Sequence, residues 1–463
     1  MGLQSAFFLT AFAVLIVAAV VNPFWGIVAY MAHYYVWPEK QWWGELLASA
    51  QVRVSLTIGV VTIVSTVAHW ARLRERLVGP LLHSQEVLFW SYIAVIGLTE
   101  IWGLPPDPIF QPSIHPLDKM LKIGIFSFML THIVTTKLDL ERFLWFMLIV
   151  GGAYLGYLAY MLPASHFVKG RLEGVGGPDF SDSNFAAAHF VVMGILGAML
   201  LLKSRTWSSR LICLVSGGLI ANGLILTRSR GAFLGVIAAG AAAVVLVDRN
   251  IRKHLLWAVP VVAIGCYSLT DDLFWERIFT MFVTPEELDA SAESRLEFWK
   301  VATQIFFDHP LGIGPGRFFG VIGDYQPEYA GRDAHSLYFR TLAELGIFGV
   351  ATLLALIGNA FWVLRRCKKK AHNLLYSPDL ISTAIGLQLM IIAFVTAGLT
   401  MTMTYSEELF LVLLLPACLE RAVDYAVVTN LRTNPLSGQV AFGGGPLHLP
   451  GEMHHGHPAT LRV

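Results

Sequence analysis

The sequence predicts an all-α membrane protein with many spanning helices, and three observations lead to this prediction. Apolar residues make up 55% of the 463 residues, whereas Asp, Glu, Lys and Arg make up only 14%, compared with roughly 25% in a typical soluble protein. The mean hydropathy is +0.60. A spanning helix needs about 20 apolar residues, and the chain has enough apolar runs for about twelve such helices. The net charge of +1 excludes a protein that binds nucleic acid through a broadly basic surface.

The apolar runs define the predicted spans, one long connection and a tail. We expect spans near residues 7–31, 52–70, 87–104, 120–136, 143–162, 185–202, 211–227, 231–247, 254–269, 335–364, 380–402 and 406–425. Asn22-Pro23 interrupts the first run, so residues 7–37 form either one span or two short helices. Residues 1–432 are the predicted membrane domain, and 270–334 is its only long loop. The Gly- and His-rich segment 433–463 has no apolar face and is predicted to be disordered; we interpret its His454, His455 and His457 as solvated.

The basic residues predict the orientation of the helices. One set of alternate loops carries sixteen Lys and Arg residues, beginning with Arg72 and ending with Lys370, whereas the opposite set carries six. Short cytoplasmic loops are enriched in Lys and Arg. We therefore expect the first set of loops and both termini to be cytoplasmic, and the acidic loop 270–334 to lie outside.

The long loop contains one predicted amphipathic helix. Ser294-Arg-Leu-Glu297 has the spacing of a capping box at a helix start, and an apolar stripe follows it at helical spacing. The members of this stripe are Leu296, Trp299, Ala302, Ile305 and Phe306. We expect a helix over 295–308 along the membrane surface, ended by His309-Pro310, with Arg295 in its first turn. Free N–H groups at a helix start favour phosphate.

A glycine-rich run follows this helix. Residues 310–316 read Pro-Leu-Gly-Ile-Gly-Pro-Gly, and glycine lets a backbone turn tightly or approach a ligand closely. The run lacks the Lys-Ser/Thr ending of a nucleotide-binding loop. We interpret it as a turn in preference to a phosphate cradle.

Two short segments bring further polar residues to the outward side. Arg228 and Arg230 flank Ser229 between two apolar helices, on the side that the distribution of basic residues disfavours, and an anionic ligand would explain them. His335 precedes a long apolar helix together with Ser336, Tyr338, Arg340 and Glu344. Arg340 and Glu344 are four residues apart, so an internal ion pair is expected.

The segment before the predicted span at 185 is also outward. Asp182 or Ser183 is positioned to cap that helix, and Asn184 follows. No spacing of His, Cys, Asp or Glu in the chain predicts a metal site, and no cofactor is expected.

These pieces together resemble the O-antigen ligase/polymerase superfamily of bacterial inner-membrane glycosyltransferases. The matching segments occur in the family's order: Ser229-Arg230-Gly231, Arg295 to Trp299, His309 to Gly316, and His335-Ser336 through Glu344 to Gly349. They cover about 120 residues. Asp182-Ser183-Asn184 and the N-terminal hairpin-like element also resemble a subgroup of ligases associated with exosortase systems, which typically has Asp-Asn-Asn at the first of these sites.

The resemblance implies a metal-independent transfer of a glycan from undecaprenyl pyrophosphate to lipid A–core at the periplasmic face. Arg230 and Arg295, with Arg228 as a third, match arginines that bind the donor pyrophosphate. His335 matches the family's functional histidine, and an imidazole with an ordinary pKa near 6.5 can accept the proton of the attacking hydroxyl. Ser336, Tyr338, Arg340, Glu344, Asp182 and Asn184 are candidate supporting residues.

Several alternatives stay open at this stage. A glycan polymerase would share the donor and the arginines and would differ in its acceptor, and the exosortase resemblance leaves a protein acceptor open. A peptidoglycan polymerase or a membrane O-acyltransferase ranks lower. A lipid-linked glycan transporter is disfavoured because such proteins have internal repeats and charges near the bilayer midplane, neither of which the sequence has.

Overall fold

The computed structural model describes residues 3–41, 53–249 and 290–433, with a few residues between these ranges (44, 252, 253, 267, 268, 270 and 275). Most of the predicted span at 254–269, most of residues 270–289 at the start of the predicted loop, and the tail 434–463 with its three histidines lie outside the described residues.

The described residues form an all-α fold, as predicted. The helices are α1 Leu3–Val21, α2 Pro23–Val36, α3 Val54–Ala68, α4 Trp70–Arg76, α5 Ser84–Trp102, α6 Pro116–Ile133, α7 Lys137–Met161, α8 Ser183–Lys203, α9 Trp207–Thr227, α10 Arg230–Leu246, α11 Ala290–Asp308, α12 Phe318–Tyr325, α13 Leu337–Lys370, α14 Pro378–Ala397 and α15 Glu407–Thr433. One small hairpin, β1 Phe167–Val168 with β2 Arg171–Leu172, is added. Its turn residues, Lys169 and Gly170, both have positive φ, as a two-residue hairpin turn requires.

Five of the described helices are long and apolar enough to cross a membrane, or six if the bent pair α3 and α4 forms one span. Helices occupy the other predicted intervals that are described, but they are shorter or carry more charges. For example, α6 contains Asp118, Lys119 and Lys122, and α10 has 17 residues. Multiple candidate membrane-spanning helices are therefore present, and the number twelve stays a prediction.

The first apolar run forms two helices. Asn22 separates α1 from α2: its side chain accepts a hydrogen bond from the Phe24 amide at 3.1 Å. Pro23 occupies the first position of α2, where its missing N–H costs no helical hydrogen bond. The two helices pack against each other and against α3, so the predicted break at Asn22-Pro23 makes a helical hairpin.

Loops predicted to share a side lie at the same end of the helices. Arg76 lies 3.6 Å from Asp139, Lys203 lies 3.4 Å from Glu141, and these contacts connect three of the loops rich in basic residues. At the opposite end, Lys119 at the start of α6 binds Asp179 at 2.5 Å. The orientation of these ends in a bilayer stays a prediction from the basic residues.

The central helix α15 is surrounded by α5, α6, α13 and α14, and its residues from Leu409 to Val423 are almost fully buried. A smaller apolar cluster lies where α11 and α12 pack on the beginning of α13. This second cluster fixes the segments that carry Arg295 and His335.

The helix α13 is broken at Gly346, whose φ of 60° and ψ of −157° are not helical. Only glycine adopts such a conformation without strain. The glycine-rich run packs into this break: the Ile313 amide binds the Ala343 carbonyl at 3.0 Å, the Gly314 amide binds the Glu344 carbonyl at 2.9 Å, and the Ile347 amide binds the Pro310 carbonyl at 3.0 Å. Because the Ile313 and Gly314 amides of the run pair with carbonyls of α13, the interpretation of the run as a turn is supported over that of a phosphate cradle.

Candidate functional site

A polar cavity of about 310 Å³ lies at the end of the helices where α8, α13 and the connection between α14 and α15 meet. Its polar lining includes acidic, basic and neutral side chains: Lys119, Asp179, Asp182, Asn184, Asp333, His335 and Arg340. Met401 to Ser406 close the opposite wall. The cavity therefore joins segments that are more than 200 residues apart in the sequence.

His335 lies on this cavity in an unusual backbone conformation. Its φ is 47°, and a non-glycine residue in the left-handed region is uncommon. The flanking backbone is held on both sides, because the Trp299 indole donates to the Ala334 carbonyl at 3.1 Å and the Leu337 amide donates to the Gly398 carbonyl at 2.8 Å. Such held strain is typical of functional residues.

Burial lowers the pKa of the His335 imidazole below its usual value near 6.5. Two arginines, Arg295 and Arg332, lower this pKa further, whereas the carboxylates of Asp333 and Asp182 raise it. The ring is therefore neutral at neutral pH, which is the form that accepts a proton. Arg295 is also placed within electrostatic range of His335, although 40 residues separate them in the chain.

Asn184 connects the cavity to the arginines between α9 and α10. Its amide oxygen accepts hydrogen bonds from the Arg171 guanidinium at 2.5 Å and from the Ser229 hydroxyl at 3.0 Å. Arg171 also donates to the Thr227 carbonyl at 3.1 Å. Asn184 is buried at the start of α8, so these contacts fix the segment that carries the arginines against one wall of the cavity.

The segment Arg228-Ser229-Arg230 is a tight connection between α9 and α10. Arg228 caps α9 with φ of 45°, and its guanidinium binds the carbonyl of Gly170 in the hairpin turn. The Ser229 side chain accepts from the Ala232 amide and caps α10, which begins at Arg230. The described lining of the cavity does not include Arg228, Arg230 or Arg295; the connection between these residues and the cavity runs through Asn184 and His335.

The predicted ion pair between Arg340 and Glu344 is present. The two side chains are 3.1 Å apart, and Arg340 also binds Asp333 at 3.1 Å. Glu344 accepts further hydrogen bonds from the Phe318 amide at 3.1 Å and the Tyr405 hydroxyl at 2.6 Å. Because Glu344 is fully buried and each of its oxygens has a partner, this network holds the wall of the cavity together.

Three of the other candidate residues have local structural partners. Ser336 caps α13 by accepting from the Phe339 amide at 3.5 Å. The Tyr338 hydroxyl donates to the Val395 carbonyl at 2.9 Å, and neither residue lines the cavity. Asp182 caps α8 through one oxygen, which accepts from the Asn184 and Phe185 amides at 2.8 and 3.1 Å, and it also lines the cavity.

The helix that carries Arg295 differs from its prediction in two ways. It begins at Ala290, four residues before Ser294, because the residues 290–293 (Ala-Ser-Ala-Glu) extend it; Ser294 is therefore not its N-cap, and Arg295 is not in its first turn. Its end at Asp308 is as predicted. The buried face is Phe298, Val301, Ala302 and Ile305, whereas Leu296 is 46% exposed, because α11 packs on α12 and α13.

Sequence reasoning missed three residues of this region. In the sequence Arg171 is only one basic residue in a loop, yet it binds Asn184. Lys119 and Asp179 form an ion pair that lines the cavity. Their sequence signal was limited to their position on the side with few basic residues, and no spacing relates them to His335.

Together, these features describe an all-α protein with several candidate membrane-spanning helices and a polar cavity at one end of them. His335 lines this cavity, and Asn184 connects it to the segment that carries Arg228 and Arg230. Residues 215–354 match the family of O-antigen ligases. The matched range contains Arg228, Arg230, Arg295 and His335. Members of the family are glycosyltransferases of the O-antigen ligase or polymerase type that use lipid-linked glycans. No curated protein sequence matches the chain.

Proposed function

We propose that this protein is an O-antigen ligase of the bacterial inner membrane. It transfers a glycan from undecaprenyl pyrophosphate to a sugar hydroxyl of lipid A–core at the periplasmic face and so completes lipopolysaccharide. The observation that carries the proposal is the meeting of three distant segments: Ser229 binds Asn184, which shares one cavity with His335. The family match over residues 215–354 supports the same reaction class.

The donor pyrophosphate is assigned to the arginines beside this cavity. Planar guanidinium groups bind phosphate oxygens in pairs, and Arg230 and Arg295 are the main candidates, with Arg228 as a third. When the bond between the sugar and the pyrophosphate breaks, negative charge grows on the leaving group. Fixed cations that stabilise this charge lower the barrier, and one such donor is typically worth about 10²–10³ in rate.

His335 is assigned as the general base. The oxygen of the acceptor hydroxyl attacks the anomeric carbon, its proton passes to the neutral imidazole, and undecaprenyl pyrophosphate departs from the opposite face. This direct displacement inverts the anomeric centre. The lowered pKa of His335 keeps the ring in its proton-accepting form. No metal or cofactor is used in this scheme.

A glycan polymerase is the nearest alternative. It would use the same donor, arginines and histidine, and its acceptor would be a second lipid-linked glycan. A transporter without chemistry is less favoured, because the match to a glycosyltransferase family includes the histidine and the three arginines.

Reconstituted wild-type protein tests the assignment when it receives a lipid-pyrophosphate glycan either alone or with rough lipopolysaccharide. The ligase proposal expects glycan-capped lipopolysaccharide in the second reaction and no longer lipid-linked glycans in the first. Longer lipid-linked glycans without lipopolysaccharide product would replace the ligase with the polymerase. An Arg230→Ala variant provides the comparison for donor use, with a large loss of product expected.

A further inference from the structure

A second cavity lies outside the candidate site. It is an open groove of about 750 Å³ between α2, α3 and α6. The apolar side chains that line it are Leu56, Val60, Ile63, Ile125, Phe126 and Met129. Four of these are at least 40% exposed, so the groove presents hydrocarbon surface to its surroundings.

One end of the groove is basic. Arg53 immediately precedes α3, and Lys122 lies in the second turn of α6; both line the groove and both are exposed. Trp37, which caps the end of α2, lies at the same end. Glu39 also lines the groove, and its carboxylate binds His33 at 2.8 Å. Tryptophan and basic side chains are typical of the membrane–water interface.

Contacts between the three helices fix the direction of the groove. Tyr34 and Lys119 both bind Asp179, at 3.0 and 2.5 Å, so the end of α2 and the start of α6 lie at the end of the candidate site. Deeper in the bundle, the rings of Tyr30 and Phe126 stack at 4.4 Å. The groove therefore begins beside the polar cavity and descends from it.

The length of the groove matches one leaflet. Ten residues of α3 separate Arg53 from Ile63, which is about 15 Å at 1.5 Å per residue. The hydrocarbon core of a bilayer is about 30 Å thick, so each leaflet contributes about half of that. A hydrocarbon chain in the groove would end near the bilayer midplane, with its head group at Arg53 and Lys122.

We propose that this groove binds an anionic phospholipid, with one acyl chain along α3 and the phosphate between Arg53 and Lys122. The guanidinium binds phosphate oxygens in pairs and the ammonium acts as a point charge. A zwitterionic phospholipid offers the same chains without net charge. The proposal does not depend on glycan transfer.

Two substitutions of different kinds test it. Gly59 lines the groove, and an added Cβ there meets nothing within 4 Å, so Gly59→Phe fills the groove without disturbing the core. Gly218 on α9 is equally open, and Gly218→Phe is its matched control. Arg53→Gln with Lys122→Gln removes the two charges, and Arg72→Gln with Arg74→Gln removes two exposed charges from α4 as a control.

The measurement is native mass spectrometry of the full-length protein titrated with phosphatidylglycerol or phosphatidylcholine of the same chain composition. Each basic residue near an anionic lipid contributes about fivefold in affinity, so the double charge variant should bind phosphatidylglycerol about 30-fold more weakly. Gly59→Phe should lose the binding of both lipids at this site. Both controls should bind as the wild type does, and elution as a single species in size-exclusion chromatography confirms that each variant is folded.

Equal binding of phosphatidylglycerol by Gly59→Phe and Gly218→Phe would overturn the proposal. Equal affinity of the wild type for the two lipids would overturn the role of Arg53 and Lys122. If the wild type binds neither lipid, the proposal also fails.

Discussion

Substitution of Asn184 by alanine tests whether the arginine segment depends on this residue. The change removes the acceptor of two hydrogen bonds, one from Arg171 at 2.5 Å and one from Ser229 at 3.0 Å. A hydrogen bond to a charged group is worth about 1.5–3 kcal/mol and a neutral one about 0.5–1.5 kcal/mol. About 2–4 kcal/mol of orienting free energy is therefore lost.

If this free energy holds the donor-binding arginines in place, kcat/KM for glycan transfer should fall by about 30- to 1000-fold, since each 1.4 kcal/mol is a factor of ten. The assay is steady-state transfer by the purified variant in lipid. Ser183→Ala is the matched control, because the neighbouring Ser183 hydroxyl is buried and without a hydrogen-bond partner. Its removal should leave transfer within about threefold of wild type, a change below 1 kcal/mol. The reasoning is refuted if Asn184→Ala, shown to be folded, behaves like this control.

Three further predictions concern the same region. The lowered pKa of His335 predicts that kcat/KM is constant around neutral pH and falls in acid, with a midpoint below pH 6.5. Because the Asp333 carboxylate raises the pKa of His335, Asp333→Asn should move this midpoint to still lower pH. An unchanged or higher midpoint in the pH profile would contradict this. Gly346 has a positive φ, and Gly346→Ala would place a Cβ 2.4 Å from the Pro310 carbonyl oxygen, so this variant should be destabilised by about 1–3 kcal/mol or more. Gly358→Ala in the same helix, where a Cβ meets nothing within 4 Å, should be neutral or stabilising. Equal thermal unfolding of the two variants would refute the role given to the break in α13. Glu344→Ala removes one partner of a buried pair and should cost about 3–5 kcal/mol in unfolding measurements. Glu297→Ala, whose partner Lys300 is 68% exposed, should cost much less, because water screens exposed ion pairs. Similar losses in the two variants would contradict the network around Arg340.

The sequence predicted the helices well where a long apolar run determines them. Helices occupy each predicted interval that is described, and the break at Asn22-Pro23 follows from the chemistry of proline and of a capping side chain. The capping box at Ser294 failed because short-range spacing cannot tell a helix start from an interior turn when the preceding residues also favour a helix. Gly346 was likewise hidden, since a break inside a long apolar helix has no signature in hydrophobic periodicity.

The sequence predicted individual residues of the candidate site but not the contacts that bring them together. His335 and the arginines were identified from their side of the predicted membrane and from a family resemblance. The contacts that join them, from Asn184 to Arg171 and Ser229 and from Lys119 to Asp179, connect residues up to 60 positions apart. Such long-range pairs depend on how the helices pack, which composition and spacing do not specify.

The most direct test of the assigned chemistry is a single-turnover measurement with His335→Ala. Donor affinity is measured first, by binding of the lipid-pyrophosphate glycan, and transfer to rough lipopolysaccharide is then followed with donor bound. If His335 is the general base, the variant binds the donor as the wild type does and transfers it about 10²–10⁴-fold more slowly. Transfer at a nearly normal rate would contradict the role of His335 and leave the histidine as a structural residue of the cavity wall.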